Sequence, residues 1–232
     1  VVGMLLHMAR TCRFDIVLAV SMLSSHLNSV AERHVNAAKR VVYYLKETKM
    51  LGLVYDGRQT EIDLNRVKMY CDSDWNGDKD TRCSRSGYAV MYGGAAVEVF
   101  SKLQSLQCQS SCQAETVSCV TAVNATVTIR QLCLDLTIPQ PGATAIYVDN
   151  NALYLNSRSE KQSQQSKHFQ DRTEYLRAFT RMGEVQLLKV STDLNISDMF
   201  TKALDPTTFL RLRSTIMGHT TPEARRMCEM EL

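Results

Sequence analysis

The chain has 232 residues, 44% of them hydrophobic and 22% charged, with a formal net charge of +3. That composition is ordinary for a globular protein, so disorder is not the default, and the length fits one large domain or one medium domain with an appendage. The weakly basic balance permits a nucleic-acid partner without demanding one.

Residues 1–50 read as helical. Ile16, Ala19, Val20, Leu23 and Leu27 recur at helical spacing, and Ser29-Val30-Ala31-Glu32 has the form of a capping box opening a second helix with Ala38, Val41, Val42 and Leu45 on one face. Gly52 follows its basic end, where a stop is expected. Leu53 to Leu64 reads as a hairpin or linker with a turn at Asp56-Gly57. Val67, Met69 and Cys71 then alternate with Lys68 and Tyr70, a strand running into Asp72.

Two further strands, SGYAVMY and AAVEVFSKLQ, form a hairpin around Gly93-Gly94. A helix is expected from Gln113 to about Leu134, against many Val, Thr and Asn residues, and Pro139 to Gly142 break it. ATAIYVD is a short buried strand, Asn150 to Ser157 a short helix, Phe169 to Met182 a longer one, EVQLLKV the last strand and Ile196 to Ala203 a final short helix. The order is that of an α/β protein with a mixed sheet: an antiparallel block, then strands joined by helical crossovers.

The chain opens on Val1 and its first residues are already amphipathic, which reads as a piece of something longer. No secretory signal is legible, and no stretch approaches the roughly 18 or more apolar residues of a membrane span. The eight cysteines, Cys12, Cys71, Cys83, Cys108, Cys112, Cys119, Cys133 and Cys228, include no C-x-x-C pair and read as reduced, mostly buried thiols. The expected setting is therefore intracellular, cytoplasm or nucleus, with no membrane partner.

The chemistry lies in the acids. Asp72 and Asp149 end strands, Glu115 falls in the first turn of the long helix, and Asp198 sits on the last short helix. Strand ends in such sheets converge on one edge, so four carboxylates could face one point. Crowded like charges raise one another's pKa, and a hard divalent cation such as magnesium relieves that. Two ions can activate a water and stabilise a leaving oxygen. Taken singly, each acid also has an ordinary reading as turn, helix-dipole or solvated residue.

In order and spacing, VGMLLHMARTCRFDIVLAVSMLS, HVNAAKRVVYYLKETKMLGLVY, YCDSDWNGDKDTRCSRSGYAVMYGG, CQAET, YVDNNAL, SKHF and ISDMFTKAL resemble copia-type retrotransposon Pol polyproteins, from the end of the reverse transcriptase through the ribonuclease H domain. The resemblance implies a ribonuclease H-like fold, a five-stranded mixed sheet with flanking helices preceded by a small helical connection segment. It divides the chain into 1–65 (connection), 66–206 (ribonuclease H-like) and 207–232 (tail). It implies hydrolysis of the RNA strand of an RNA–DNA hybrid at two magnesium ions, with manganese as a substitute, beside an upstream reverse transcriptase domain.

Carried over by position, the catalytic and metal-binding acids are Asp72, Glu115, Asp149 and Asp198, with Asp74 a rival for the first position. Lys79, Arg82, Arg85, Lys161, Lys167 and His168 are candidate substrate contacts, each by itself also readable as an ordinary surface residue. Phe14 stands where the family usually has Pro, and Thr116 where it has an aromatic. Tyr147-Val148-Asp149-Asn150 resembles the YxDD of a polymerase but lacks its second Asp. The competing readings are a non-catalytic remnant that folds and binds nucleic acid, and a connection module for an absent polymerase.

Overall fold

The computed structural model describes residues 1–55, 66–159 and 167–219, and for Lys167 and His168 the backbone alone. The turn expected at Asp56-Gly57 lies outside the described residues. β1 (Lys68–Asp74), β2 (Arg85–Tyr92) and β3 (Ala95–Leu103) are antiparallel neighbours. Between β2 and β3, Gly93 and Gly94 take φ of 63° and 86°. Two successive left-handed residues make the tight hairpin turn that matches strand twist, and glycine adopts them without a steric penalty.

β4 (Thr144–Val148) and β5 (Val185–Lys189) continue the sheet in parallel, giving the order β3-β2-β1-β4-β5. Parallel strands need crossovers. α4 (Ser111–Asp135) leads from β3 to β4, and α5 (Asn151–Arg158) and α6 (Lys167–Arg181) lie between β4 and β5. The α/β architecture expected from the sequence, a mixed five-stranded sheet with flanking helices, is the one observed.

α4 forms despite its Thr and Val content because those residues are absorbed. Thr116, Thr121, Thr126 and Thr128 donate their hydroxyls to carbonyls four residues back. Cys119, Ala122 and Val123 pack on Met69, Cys71, Val90, Ile146 and Val148. Ser110 caps the helix, accepting from the Gln113 N–H at 3.3 Å. α4 is also long and apolar enough by length and composition to cross a membrane, which corrects the expectation that no stretch approaches such a span. Here its buried face is spent on the sheet.

The other sheet face is covered by α1 (Val2–Thr11), a 3₁₀ turn at Phe14–Ile16, α2 (Val17–Ser24) and α7 (Pro206–Ile216). Leu5, Phe14, Ile16, Val20 and Ile216 share one core with Ala89, Ala96, Val99 and Phe200. Ala89 and Val90 are successive strand residues on opposite faces, which is how one strand feeds both cores. Beside this layer Arg13 pairs with Asp15 at 2.8 Å, nearly excluded from solvent. Asp15 Oδ2 also accepts from Tyr44 Oη at 2.6 Å, and Arg213 donates to Tyr44 Oη at 2.9 Å. This network joins the helices that precede the sheet to the helix that follows it.

Two local expectations are corrected. Ser29 does not open the second helix. α3 (Glu32–Glu47) has Ala31 at its N-cap, and His34 Nδ1 accepts the Ala31 N–H at 3.1 Å. A capping acceptor must stand three residues after the cap, and with the cap at Ala31 that residue is His34, not Glu32. The last short helix is instead a 3₁₀ turn over Ile196–Phe200. Asn195 Oδ1 accepts from both the N–H and the hydroxyl of Ser197, at 3.3 and 2.5 Å, and this favours the tighter winding.

Candidate active site

Register places the first two acids. Tyr70 of β1 lies opposite Tyr147 of β4 in the parallel ladder, and their rings stack with centroids 4.7 Å apart. Asp72 and Asp149 each follow two residues later: Asp149 stands just past the end of β4, while Asp72 stands inside β1, which runs on to Asp74 rather than ending there as expected. Glu115 comes from the first turns of α4, which is fixed to β1 by Ser118 Oγ donating to the Asp72 carbonyl at 2.6 Å. The Ser73 N–H donates to Glu115 Oε1 at 3.3 Å. As a result one carboxylate oxygen from each of Asp72, Glu115 and Asp149 lies within 4.8 Å of the others.

Asp198 reaches the same place on the 3₁₀ turn. Buried Asn195 anchors that turn to β1, its Nδ2 donating to the Cys71 carbonyl at 3.2 Å. Gly87, opposite Asp72 in the β1–β2 register, lets the turn lie flat. A Cβ at Gly87 would stand 2.7 Å from Thr201 Cγ2 and 2.9 Å from Phe200 Cβ. Thr201 Oγ1 donates to Asp72 Oδ2. Lys202 Nζ lies 3.0 Å from Asp198 Oδ2 and 4.0 Å from Asp72 Oδ2.

The electrostatics follow from this crowding. Burial pushes Glu115 well above the usual carboxylate range, and the charges of Asp72 and Asp149 add to it. Burial, then Asp72, raises Asp149. Asp198 is pushed up to about 7 by burial and by Asp72, against the pull of Lys202. Burial by itself would lower Lys202, but Asp72, Asp198 and Asp149 outweigh it and raise it.

Glu115 Oε2 and Asp198 Oδ1 are buried with no hydrogen-bond partner. Orphaned carboxylate oxygens are costly inside a protein. A hard divalent cation supplies both the charge and the ligand these oxygens lack, so the residues fit one. An all-oxygen donor set suits magnesium or manganese rather than zinc.

The other candidates are dispersed. Asp74 sits at the edge of the cluster, raised by burial, but its carboxylate folds over Gly77, where a Cβ would collide with Oδ2. It does not join the three-carboxylate group. Lys79 and Arg82 are exposed on the β1–β2 loop. Arg85 is 6% exposed, and its guanidinium donates to Ser21 Oγ at 2.9 Å and Ser101 Oγ at 3.4 Å. Turned toward the helical layer, it ties α2 to the sheet and is not offered to a phosphate, which corrects its reading as a substrate contact. Lys161 and the side chains of Lys167 and His168 lie outside what is described. Trp75, 45% exposed, donates Nε1–H to the Cys108 carbonyl at 3.0 Å as a loop clasp.

Asn195, Thr201 and Lys202 received no role from the sequence. The available signal for Lys202 was its place four residues after Asp198, within reach of a helical or near-helical ion pair.

The strand order and the crossovers define an α/β fold with a mixed five-stranded sheet, and the gathered acids mark one edge of it. No family model matches the chain. It is 33% identical over 93% of its length to the retrovirus-related Pol polyprotein from transposon RE1 of Arabidopsis thaliana, of which it spans 14%. It is 27% identical over 94% of its length to the corresponding polyprotein from transposon TNT 1-94 of Nicotiana tabacum, of which it spans 16%. Among solved structures, RNase H1 from the archaeon Halobacterium salinarum is similar with a TM-score of 0.44 and 14% identity, over 59% of this chain and 94% of that one. Over nearly its whole length the chain is similar to one segment of the retrovirus-related Pol polyproteins of transposons, and it spans only 14–16% of the length of these two relatives.

Proposed function

We propose that this chain hydrolyses the RNA strand of RNA–DNA hybrids, as the ribonuclease H portion of a copia-type retrotransposon polyprotein acting inside the cell beside a reverse transcriptase domain. The observation that carries this reading is the approach of Asp72, Glu115 and Asp149 to within 4.8 Å, with Glu115 Oε2 buried and unpartnered among them.

Asp72, Glu115, Asp149 and Asp198 would hold the two magnesium ions, or manganese in their place. Ions held there would supply polarisation of a water and neutralisation of charge on a leaving oxygen. The chain's own residues prepare the place. Thr201 fixes the Asp72 rotamer through Oδ2, Ser73 orients Glu115 through its N–H, and Asn195 holds the Asp198 turn against β1. Lys79 and Arg82 are exposed cations suited to the phosphates of either strand, while recognition of RNA rests on 2′-hydroxyls that DNA lacks.

The test presents one labelled sequence as RNA–DNA hybrid, as duplex DNA and as duplex RNA, with magnesium and then with EDTA. The proposal expects loss of label from the RNA strand of the hybrid alone, and only with magnesium. Cutting of duplex DNA at the same rate contradicts it.

A specific feature also supports the connection-module reading for the first segment. Leu27, Val30, Val35, Val42 and Tyr43 are exposed apolar residues around a groove of about 520 Å³ between α2 and α3. A reverse transcriptase domain docked there would protect Leu27 and Tyr43 from solvent labelling in the longer polyprotein relative to this chain, and equal labelling in both excludes it.

A further inference from the structure

The site holds four carboxylates and one ammonium, and they are not evenly arranged. Among the described residues, Asp72, Glu115 and Asp149 converge with no ion pair across the three of them, and Glu115 keeps an orphaned oxygen. The edge between Asp72 and Asp198 differs. There Lys202 Nζ stands 3.0 Å from Asp198 Oδ2 and 4.0 Å from Asp72 Oδ2. Thr201 Oγ1 donates to that same Asp72 oxygen. Both contacts fall on Oδ2, so Oδ1 is the Asp72 oxygen left clear of them.

We infer that Lys202 holds the place of a second cation, so that the resting chain takes one divalent ion at Asp72, Glu115 and Asp149, and a second at the Asp72–Asp198 edge only when the ammonium swings aside. The inference rests on the reading of this cluster as a metal site and changes its stoichiometry.

Charge and geometry lead to the same place. Ion binding draws on the ionised carboxylates; with all four in that form and Lys202 protonated, the cluster has formal charge −3, and one divalent ion brings it to −1. A second ion with Lys202 in place would bring it to +1, with two cations crowded against the same Asp198 carboxylate. Like charges a few ångströms apart in a partly buried site repel strongly. Lys202 is half-buried, on a flexible stem that begins directly after Thr201, and can withdraw toward solvent without moving the turn. Lys202 also lines a hollow of about 340 Å³, but its walls are mostly apolar, Ile16, Val41, Leu204 and Phe209 among them, and include Arg40, so the displaced ammonium would go to solvent. Lys202 is in this account a positioning residue, acting through the ions it admits.

The test is a calorimetric titration of Mn2+ onto the whole chain, on wild type, Lys202→Met and Lys202→Arg, with folding of each checked by thermal melt. The inference expects one Mn2+ per wild-type chain, with any second ion weaker by at least about tenfold. Lys202→Met should take two of comparable affinity, and Lys202→Arg should behave as wild type. Two equally tight ions on the wild-type chain overturn the inference and leave the nuclease reading standing, whatever the variants do. So does a folded Lys202→Met that still takes only one. A wild-type chain that takes no Mn2+ overturns both.

Discussion

At the scale of single residues, the site is a concentration of negative charge that the protein holds at a cost. Asp198 shows the sign of that cost. Its folded pKa, about 7, lies above the usual 3.8 for an aspartate. Below the lower value both states are protonated and nothing is lost. Between the two the unfolded chain ionises first, so the folded state binds the extra proton and stability falls as pH rises, levelling off above about 7. Glu115 and Asp149, also raised, act in the same sense. In EDTA, Asp198→Asn should therefore melt progressively higher relative to wild type as pH is taken from 4 to 7.5. A difference that stays flat or shrinks contradicts the assignment. The acids were legible in the sequence because each sits where a pattern ends: a strand, a strand, a helix start, a turn. Lys202 was not singled out, because its i, i+4 spacing from Asp198 allows an ion pair without saying that the ammonium also approaches Asp72. Arg85 misled for the opposite reason. It opens a strand beside a polar loop and looks exposed, and only the packing of α2 shows it buried.

At the scale of elements, two small features set the site. Gly87 permits the 3₁₀ turn to rest on β2, so Gly87→Ala should force Thr201 and Phe200 outward. The expected loss is about 1–3 kcal/mol in stability, read by denaturant titration, with a larger proportional fall in hybrid cleavage because Asp198, Thr201 and Lys202 move with the turn. Unchanged cleavage would detach the turn from the site. Ser110 caps the helix that carries Glu115, and Ser110→Ala should cost about 1 kcal/mol, seen as a lower denaturation midpoint at unchanged slope. Alternation located β1, short apolar runs set off by glycines and polar stretches located the other four strands, and the break at Pro139 located the end of α4. Low helix propensity made the middle of α4 hard to read, because its threonines are satisfied by their own carbonyls and its small residues by the sheet, both tertiary facts. The displaced cap of α3 and the 3₁₀ winding at Ile196–Phe200 are local hydrogen-bond choices among near-equal alternatives, which composition does not rank.

At the scale of the whole molecule, the helices before the sheet and the helix after it are one layer over the same sheet face, joined by the Arg13–Asp15–Tyr44–Arg213 network. Asp15→Ala should leave the Arg13 guanidinium buried and uncompensated, at about 3–5 kcal/mol. Replacing Arg13 and Asp15 together by Met and Leu should lose less than Asp15→Ala alone, and a double variant that is worse would show the pair to be more than a charge balance. The sequence suggested that residues 1–50 were helical but not that they share a core with Ile216, since nothing in their periodicity names the partner of an apolar face.

The most direct test of the account is cleavage of an end-labelled RNA–DNA hybrid in magnesium by the wild-type chain and by Asp149→Asn, which removes one oxygen charge from the cluster and leaves its shape. The account predicts loss of the RNA strand by wild type and a fall to background in the variant, with both proteins folded and both binding the hybrid. A folded wild-type chain that binds the hybrid and leaves its RNA intact, or a variant that cuts as fast as wild type, would contradict it.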